Sequence, residues 1–196
     1  MACSHNLLMK TFFKLLFRVC VFLFFIALMV YTALPSPKFP GYLSDSMQNL
    51  EDADVETFLR RGYYTNFDRE NVLDFYQNQM SSTFLGIPLL VYRLNYPPEE
   101  AFTWVRDQTR STYLEEVVLP FRGSLFVNGF IPKLPKDDIW YKGSHFDQKV
   151  TVKYVPSPLL PRVIIMYLSL ILLFIVGGQA INMFNNLFSD LARREK

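Results

Sequence analysis

The chain is poor in the residues from which most active centres are assembled. Among 196 residues there are two cysteines, Cys3 and Cys20, and two histidines, His5 and His145. Both cysteines precede residue 35, so the long middle of the chain has neither a disulfide nor a thiolate metal site and must be held by its core alone. With one histidine there, a metal site would have to be an oxygen-rich calcium or magnesium site, and no Asp-x-Asp-x-Asp-Gly loop exists to build it. The eight glycines never gather into a phosphate-cradling loop of the Walker or dinucleotide type, so nothing calls for a cofactor.

Charge is also missing from two long stretches. Residues 19–34 read VCVFLFFIALMVYTAL and residues 163–181 read VIIMYLSLILLFIVGGQAI. The second has the ~19 residues a helix needs to cross about 30 Å of hydrocarbon. The first is shorter and borrows the preceding turns, so the predicted spans are 11–34 and 161–183. Lys14 and Arg18 then fall near the start of the first span, where basic side chains bend toward headgroups. A cleavable secretory signal competes for this segment, because a basic front leads to the small residue Ala33; Tyr31, three residues before such a cut, is too bulky for it.

Basic residues set the expected orientation. Lys10, Lys14 and Arg18 precede the first span and Arg193, Arg194 and Lys196 follow the second, against Lys38 and Arg162 at the inner ends. The positive-inside rule places both termini, residues 1–10 and an amphipathic tail 184–196, in the cytosol and residues 35–160 outside. A bacterial cytoplasmic membrane with a periplasmic domain fits this best. Residues 36–160 hold 13 basic and 16 acidic side chains, a net charge of −3 beneath the whole-chain +2, which argues against nucleic acid as a partner.

The outer segment reads as an α+β domain of antiparallel strands and two or three helices, flanked by proline-rich collars at 34–40 and 156–161 that act as semi-rigid spacers. Residues 42–61 carry an acidic run and a short apolar set that predict a helix ending at Gly62. Residues 68–80 have a capping Asp68, early acids and Val72, Phe75, Tyr76 and Met80 at helical spacing. A second helix is expected over 97–110, opened by prolines and acids, with Ala101, Phe102, Trp104 and Val105 facing inward. Strands are expected at 87–94, in a hairpin over 116–130 turning at Arg122-Gly123, and in a last hairpin from 139–142 through Gly143-Ser144 into 146–155. In the last, Val150, Val152 and Tyr154 alternate with Thr151 and Lys153, the period of a sheet with one buried face.

Few residues are candidates for chemistry. His145 stands beside Ser144 and near Asp147, but triad members converge from separate parts of a fold, so Gly143-Ser144-His145 reads as a turn. Adjacent Glu115 and Glu116 on a strand point to opposite faces; one could be buried and paired with Arg106, Arg110 or Arg122. Aromatics are abundant, with 19 phenylalanines, 11 tyrosines and two tryptophans, more than a small core must hold. Asn128-Gly129-Phe130 reads as a turn followed by an exposed ring, so Asn128, Phe130, Trp140 and Tyr141 are the candidate partner contacts. Ser169, Gly177, Gly178 and Ala180 would let another helix approach the second span.

The expectation is therefore a membrane-anchored envelope protein that binds other proteins. Its expected partners are the lipid bilayer, other membrane or envelope proteins, and a second copy of itself. An accessory subunit of a transporter or channel is the alternative, and an outward-facing hydrolase using Glu115, Glu116 or His145 a third.

Overall fold

The computed structural model describes residues 2–105 and 110–194, which divide into two units: Ser36–Ser157, and the flanking segments on either side of it. The flanking unit consists of α1 (Ala2–Ala33) and α5 (Leu159–Arg194). Within them, Leu15–Ala33 and Leu159–Phe184 are long and apolar enough to cross a membrane, spanning about 28 and 39 Å at 1.5 Å per residue. Only 6% of either stretch is buried, which is unlike the core helix of a soluble fold. The helices touch through Phe25 and Phe174, whose ring centres are 5.6 Å apart, and Arg162 Nη2 donates to the Leu34 carbonyl at 2.5 Å.

The central unit is built on a six-stranded sheet in which every neighbouring pair is antiparallel. In chain order its elements are β1 (Ser46–Asn49), α2 (Asp52–Val55), β2 (Arg60–Thr65), α3 (Arg69–Met80), β3 (Thr83–Phe84), β4 (Ile87–Pro88), β5 (Tyr92–Tyr96), α4 (Ala101–Trp104), β6 (Tyr113–Leu119), β7 (Gly123–Phe130), β8 (Ile139–Tyr141), β9 (Ser144–Phe146) and β10 (Gln148–Pro156). The sheet order is β1-β2-β10-β7-β6-β5, while β3-β4 and β8-β9 are separate two-stranded hairpins. The α+β class with antiparallel strands is as the sequence implies.

Alternation gives the sheet two different faces. On one, Tyr63, Tyr113, Val117, Leu125, Val127, Val150, Val152 and Tyr154 pack against Val72, Leu73, Tyr76 and Met80 of α3. That helix begins where expected, with the Asp68 carboxylate accepting the Asn71 N–H at 2.7 Å. On the other face Leu114 and Phe126 meet Ala101 and Val105 in a smaller cluster. The hairpin at 116–130 forms β6 and β7, and its tip is Pro120-Phe121-Arg122.

Five expectations need correction. The last hairpin does not run from 139–142 into 146–155: β8 pairs only with the short β9, and β10 lies between β2 and β7 in the main sheet. The helix over 42–61 is replaced by β1, the one-turn α2 and β2, and Gly62 lies inside β2 instead of ending a helix. Its place is fixed by Asp54: a Cβ on Gly62 would stand 2.6 Å from the Asp54 carboxylate, so only glycine lets that acid fold over the strand. The helix over 97–110 is a 3₁₀ turn (Pro98–Glu100) and α4; residues 106–109 lie outside the described residues. Ala101 and Val105 are buried, but Phe102 is exposed and Trp104 covers Phe126 from outside, with rings stacked at 5.2 Å. The run at 87–94 is split between β4 and β5. The collars are divided between the units: Pro40 is buried, Phe39 packs on the core, Pro37 accepts a hydrogen bond from Tyr154 and Pro156 ends β10, while residues 34–35 and 158–161 belong to the flanking unit, with Leu159 starting α5.

Candidate functional site

Acid–base chemistry requires an ionisable group with room to act, and each buried carboxylate here is held by neighbouring side chains. Glu115 and Glu116 do project from opposite faces of β6, and both are buried. Glu115 is held by Arg69, whose Nε donates to Oε1 at 2.8 Å, and by Arg93, whose Nε donates to Oε2 at 3.1 Å. Arg93 also reaches Glu70 and Asp74 on α3. Glu116 accepts from the Tyr96 hydroxyl at 2.6 Å, and that bond pushes the Tyr96 phenol up to about 12. A structural ion pair of the kind expected is present at Glu115, with Arg69 of α3 and Arg93 of β5 as partners; Arg110 bonds Asp137 instead, and Arg106 lies outside the described residues.

A third buried carboxylate, Asp54, lies on the face opposite Glu115. Its Oδ2 accepts from Asn49 Nδ2 at 2.6 Å and meets Lys149 Nζ at 2.6 Å, with Arg60 Nη2 3.6 Å from Oδ1. Lys149 in turn stands over the Tyr64 ring, 5.8 Å from its centre. Burial first, and then Glu51 and Asp54, raise the Tyr64 phenol to about 12. An acid between two cations and an amide is a fastening between α2 and the sheet.

His145 is exposed on β9, where it meets Trp140 edge-on with ring centres 5.2 Å apart. The turn before it is Lys142-Gly143, both at positive φ, so Ser144, His145 and Asp147 follow one another along a hairpin. Among the described residues no group of three or more His, Cys, Asp or Glu could hold a metal ion.

The exposed surface holds a different kind of site. Of the four candidate contacts, Trp140 is 68% exposed on the β8-β9 hairpin, while Tyr141 beside it leans on Tyr64 at 4.6 Å. Phe130, the last residue of β7, lines a cleft with Ser111, Lys133 and Leu134, across which Arg110 Nη1 bonds Asp137 Oδ1 at 2.9 Å. Asn128 is not in a turn but inside β7, buried and bonded to Ser111.

The sequence did not single out the edge strand β5. Its partner is β6 on one side, and among the described residues no strand pairs with the other side. Edge strands are commonly protected by shortness or by free charges. The opposite edge, β1, has four residues and runs directly into the acids of α2. On β5 the one charged side chain, Arg93, is tied down by three carboxylates, while Tyr92 and Leu94 are exposed on the face that also carries Trp104. β-favouring residues at 87–94 gave the strand, but nothing local marks a strand as the last in its sheet.

In the helical unit, Ser169, Gly177, Gly178 and Ala180 all lie on α5. At Gly177 and Gly178 nothing stands within 4 Å of where a Cβ would be, so α1 does not fill the space they leave. No protein-family model matches the chain, and no curated protein or solved structure matches it.

Proposed function

We propose that the chain is a two-pass membrane protein, both termini cytosolic, whose central domain binds other proteins of an envelope assembly. The observation that carries the reading is the exposure of the two apolar helices. An apolar stretch of 26 residues that leaves nearly all of its residues unburied calls for cover by lipid or by other helices. Basic residues flanking both helices on their terminal sides favour the cytosolic orientation.

The partner-binding role rests on β5 and on the rings around it. An extended segment of a partner adding to β5 would satisfy its open N–H and C=O groups, with Leu94, Tyr92, Phe102 and Trp104 supplying apolar anchors beside it. Trp140 offers a separate contact on the β8-β9 hairpin. Photo-crosslinkers at Leu94 and Trp140, used in native membranes and read by mass spectrometry, are expected to capture defined proteins. Purification from mild detergent as a monomer with no stoichiometric partner would refute the reading.

An accessory subunit of a transporter or channel is favoured by one specific observation, the unfilled space at Gly177 and Gly178. It predicts that crosslinks concentrate on α5 and not on the domain.

A further inference from the structure

The domain carries two apolar tips at one end. We infer that the β3-β4 hairpin and the β6-β7 turn dip into the surface of the lipid bilayer; this rests on the two-pass reading above. From residue 81 to residue 92 the chain reads SSTFLGIPLLVY, without a charge. Leu85, Ile87 and Leu90 are 86%, 66% and 63% exposed, and Phe121 in the β6-β7 turn is also exposed.

Backbone geometry sets these residues apart. Among the described residues, four that are not glycine adopt positive φ: Asp45, Leu85, Phe121 and Lys142. Asp45 and Lys142 are polar and suit ordinary surface turns. A bulky apolar residue gains nothing from a left-handed conformation in water, and such outliers gather at sites of function. Leu85 and Phe121 each hold a large apolar side chain outward at a turn tip.

Both tips lie at the end of the sheet where the chain arrives and leaves. Ser157 donates its N–H to the Arg122 carbonyl at 3.2 Å, and Ser36 Oγ donates to the Ser157 carbonyl at 2.9 Å. Arg122 Nη1 reaches Ser82 Oγ at 3.5 Å, and the Leu89 N–H closes the base of the hairpin on the Ser82 carbonyl at 2.8 Å. Ser36 is three residues from the end of α1 and Ser157 two from the start of α5, a reach of at most about 11 Å. The headgroup layer is about 6 Å deep on each side of the hydrocarbon. Helices that cross the bilayer would therefore hold this end of the domain at its surface, where apolar side chains are favoured and charge is not.

The full chain, with Cys3→Ser and Cys20→Ala, is given one new cysteine at a time, Leu85→Cys, Leu90→Cys, Asp147→Cys or Leu172→Cys, labelled with an environment-sensitive dye and placed in phosphatidylcholine and phosphatidylglycerol vesicles. Asp147 precedes β10, about 30 Å of strand away from the tips. Expected are loss of fluorescence at positions 85, 90 and 172 with lipids brominated on their acyl chains, and loss only at 147 with aqueous iodide. Iodide quenching at 85 and 90, with brominated lipid quenching retained at 172, overturns the inference and leaves the two-pass reading standing. Absence of brominated-lipid quenching at 172 overturns both. Shielding of 85 and 90 from both quenchers means that protein covers the tips, and overturns the inference alone.

Discussion

Gly129→Ala is expected to destabilise the central domain severely, although it adds one methyl group to a strand. Gly129 on β7 faces Tyr113 on β6, and the Tyr113 ring lies across the glycine. A Cβ at position 129 would stand 2.1 Å from two carbons of the ring and 2.5 Å from the phenol oxygen. Tyr113 is buried and donates its hydroxyl to Gln148 Oε1 at 2.9 Å, so the ring cannot yield without leaving the core. Expelling a large side chain forfeits roughly 2–3 kcal/mol of burial, and its hydrogen bond about 1 kcal/mol more. The expected loss is thus about 3–4 kcal/mol, or a shift of about 2 M in the urea midpoint for a slope near 1.5–2 kcal/mol/M. Both tryptophans, Trp104 and Trp140, lie in this unit, so their fluorescence in the detergent-solubilised full chain follows the domain alone. In a Tyr113→Ala background the same glycine substitution should cost nearly nothing, because the ring is gone and alanine is a better strand residue by about 0.5–1 kcal/mol. Equal costs in the two backgrounds would refute the account, since independent sites add and contacting ones do not.

Lys149→Met leaves Asp54 with Arg60 as its remaining cation and is expected to cost about 2 kcal/mol, less than the ~3–5 of a fully buried pair because Lys149 is partly solvated; an unchanged thermal midpoint would show that the cation is dispensable. Asp68→Ala removes the cap of α3 and should cost about 1 kcal/mol in urea unfolding. Tyr63, Tyr64 and Tyr96 have phenols raised to about 12 from an ordinary 10, by burial in the first two and by Glu116 in the third. Between pH 10 and 12 the unfolded chain releases these protons while the folded one keeps them, so stability should fall across that window. Absorbance at the phenolate band should show these rings ionising only as the fold opens; full ionisation by pH 11 with near-UV dichroism intact would contradict it.

The elements that were legible in the sequence are those whose signal is local. Asp68 and the stripe from Val72 to Met80 announce α3, and Val150, Val152 and Tyr154 announce β10 with its buried face. The β6-β7 turn was legible from Arg122-Gly123. Glycine misled at two places for a single reason. Gly62 resembled a helix stop and Asn128-Gly129 a turn, yet each lies in a strand as a floor for a side chain from elsewhere, Asp54 on one and Tyr113 on the other. Such a role depends on a partner 8 or 16 residues away and leaves no trace in the neighbouring residues. The candidate contacts fared unevenly for a related reason: exposure at Trp140 follows from its hairpin, but burial of Asn128 and the edge position of β5 depend on strand order. Strand order joins β2 to β10, more than 80 residues apart in the chain, and no short pattern encodes it.

The clasp between Ser36 and Ser157 has a mechanical consequence. The chain arrives at and departs from the domain through residues joined by a hydrogen bond, with Tyr154 holding Pro37 just behind it. Tension that reaches the domain through its two ends would load this clasp before the ladders of the sheet. The six strands are thus wired in parallel with the anchor and not in series, so the domain can keep its shape and its open edge while the segments that carry it are strained.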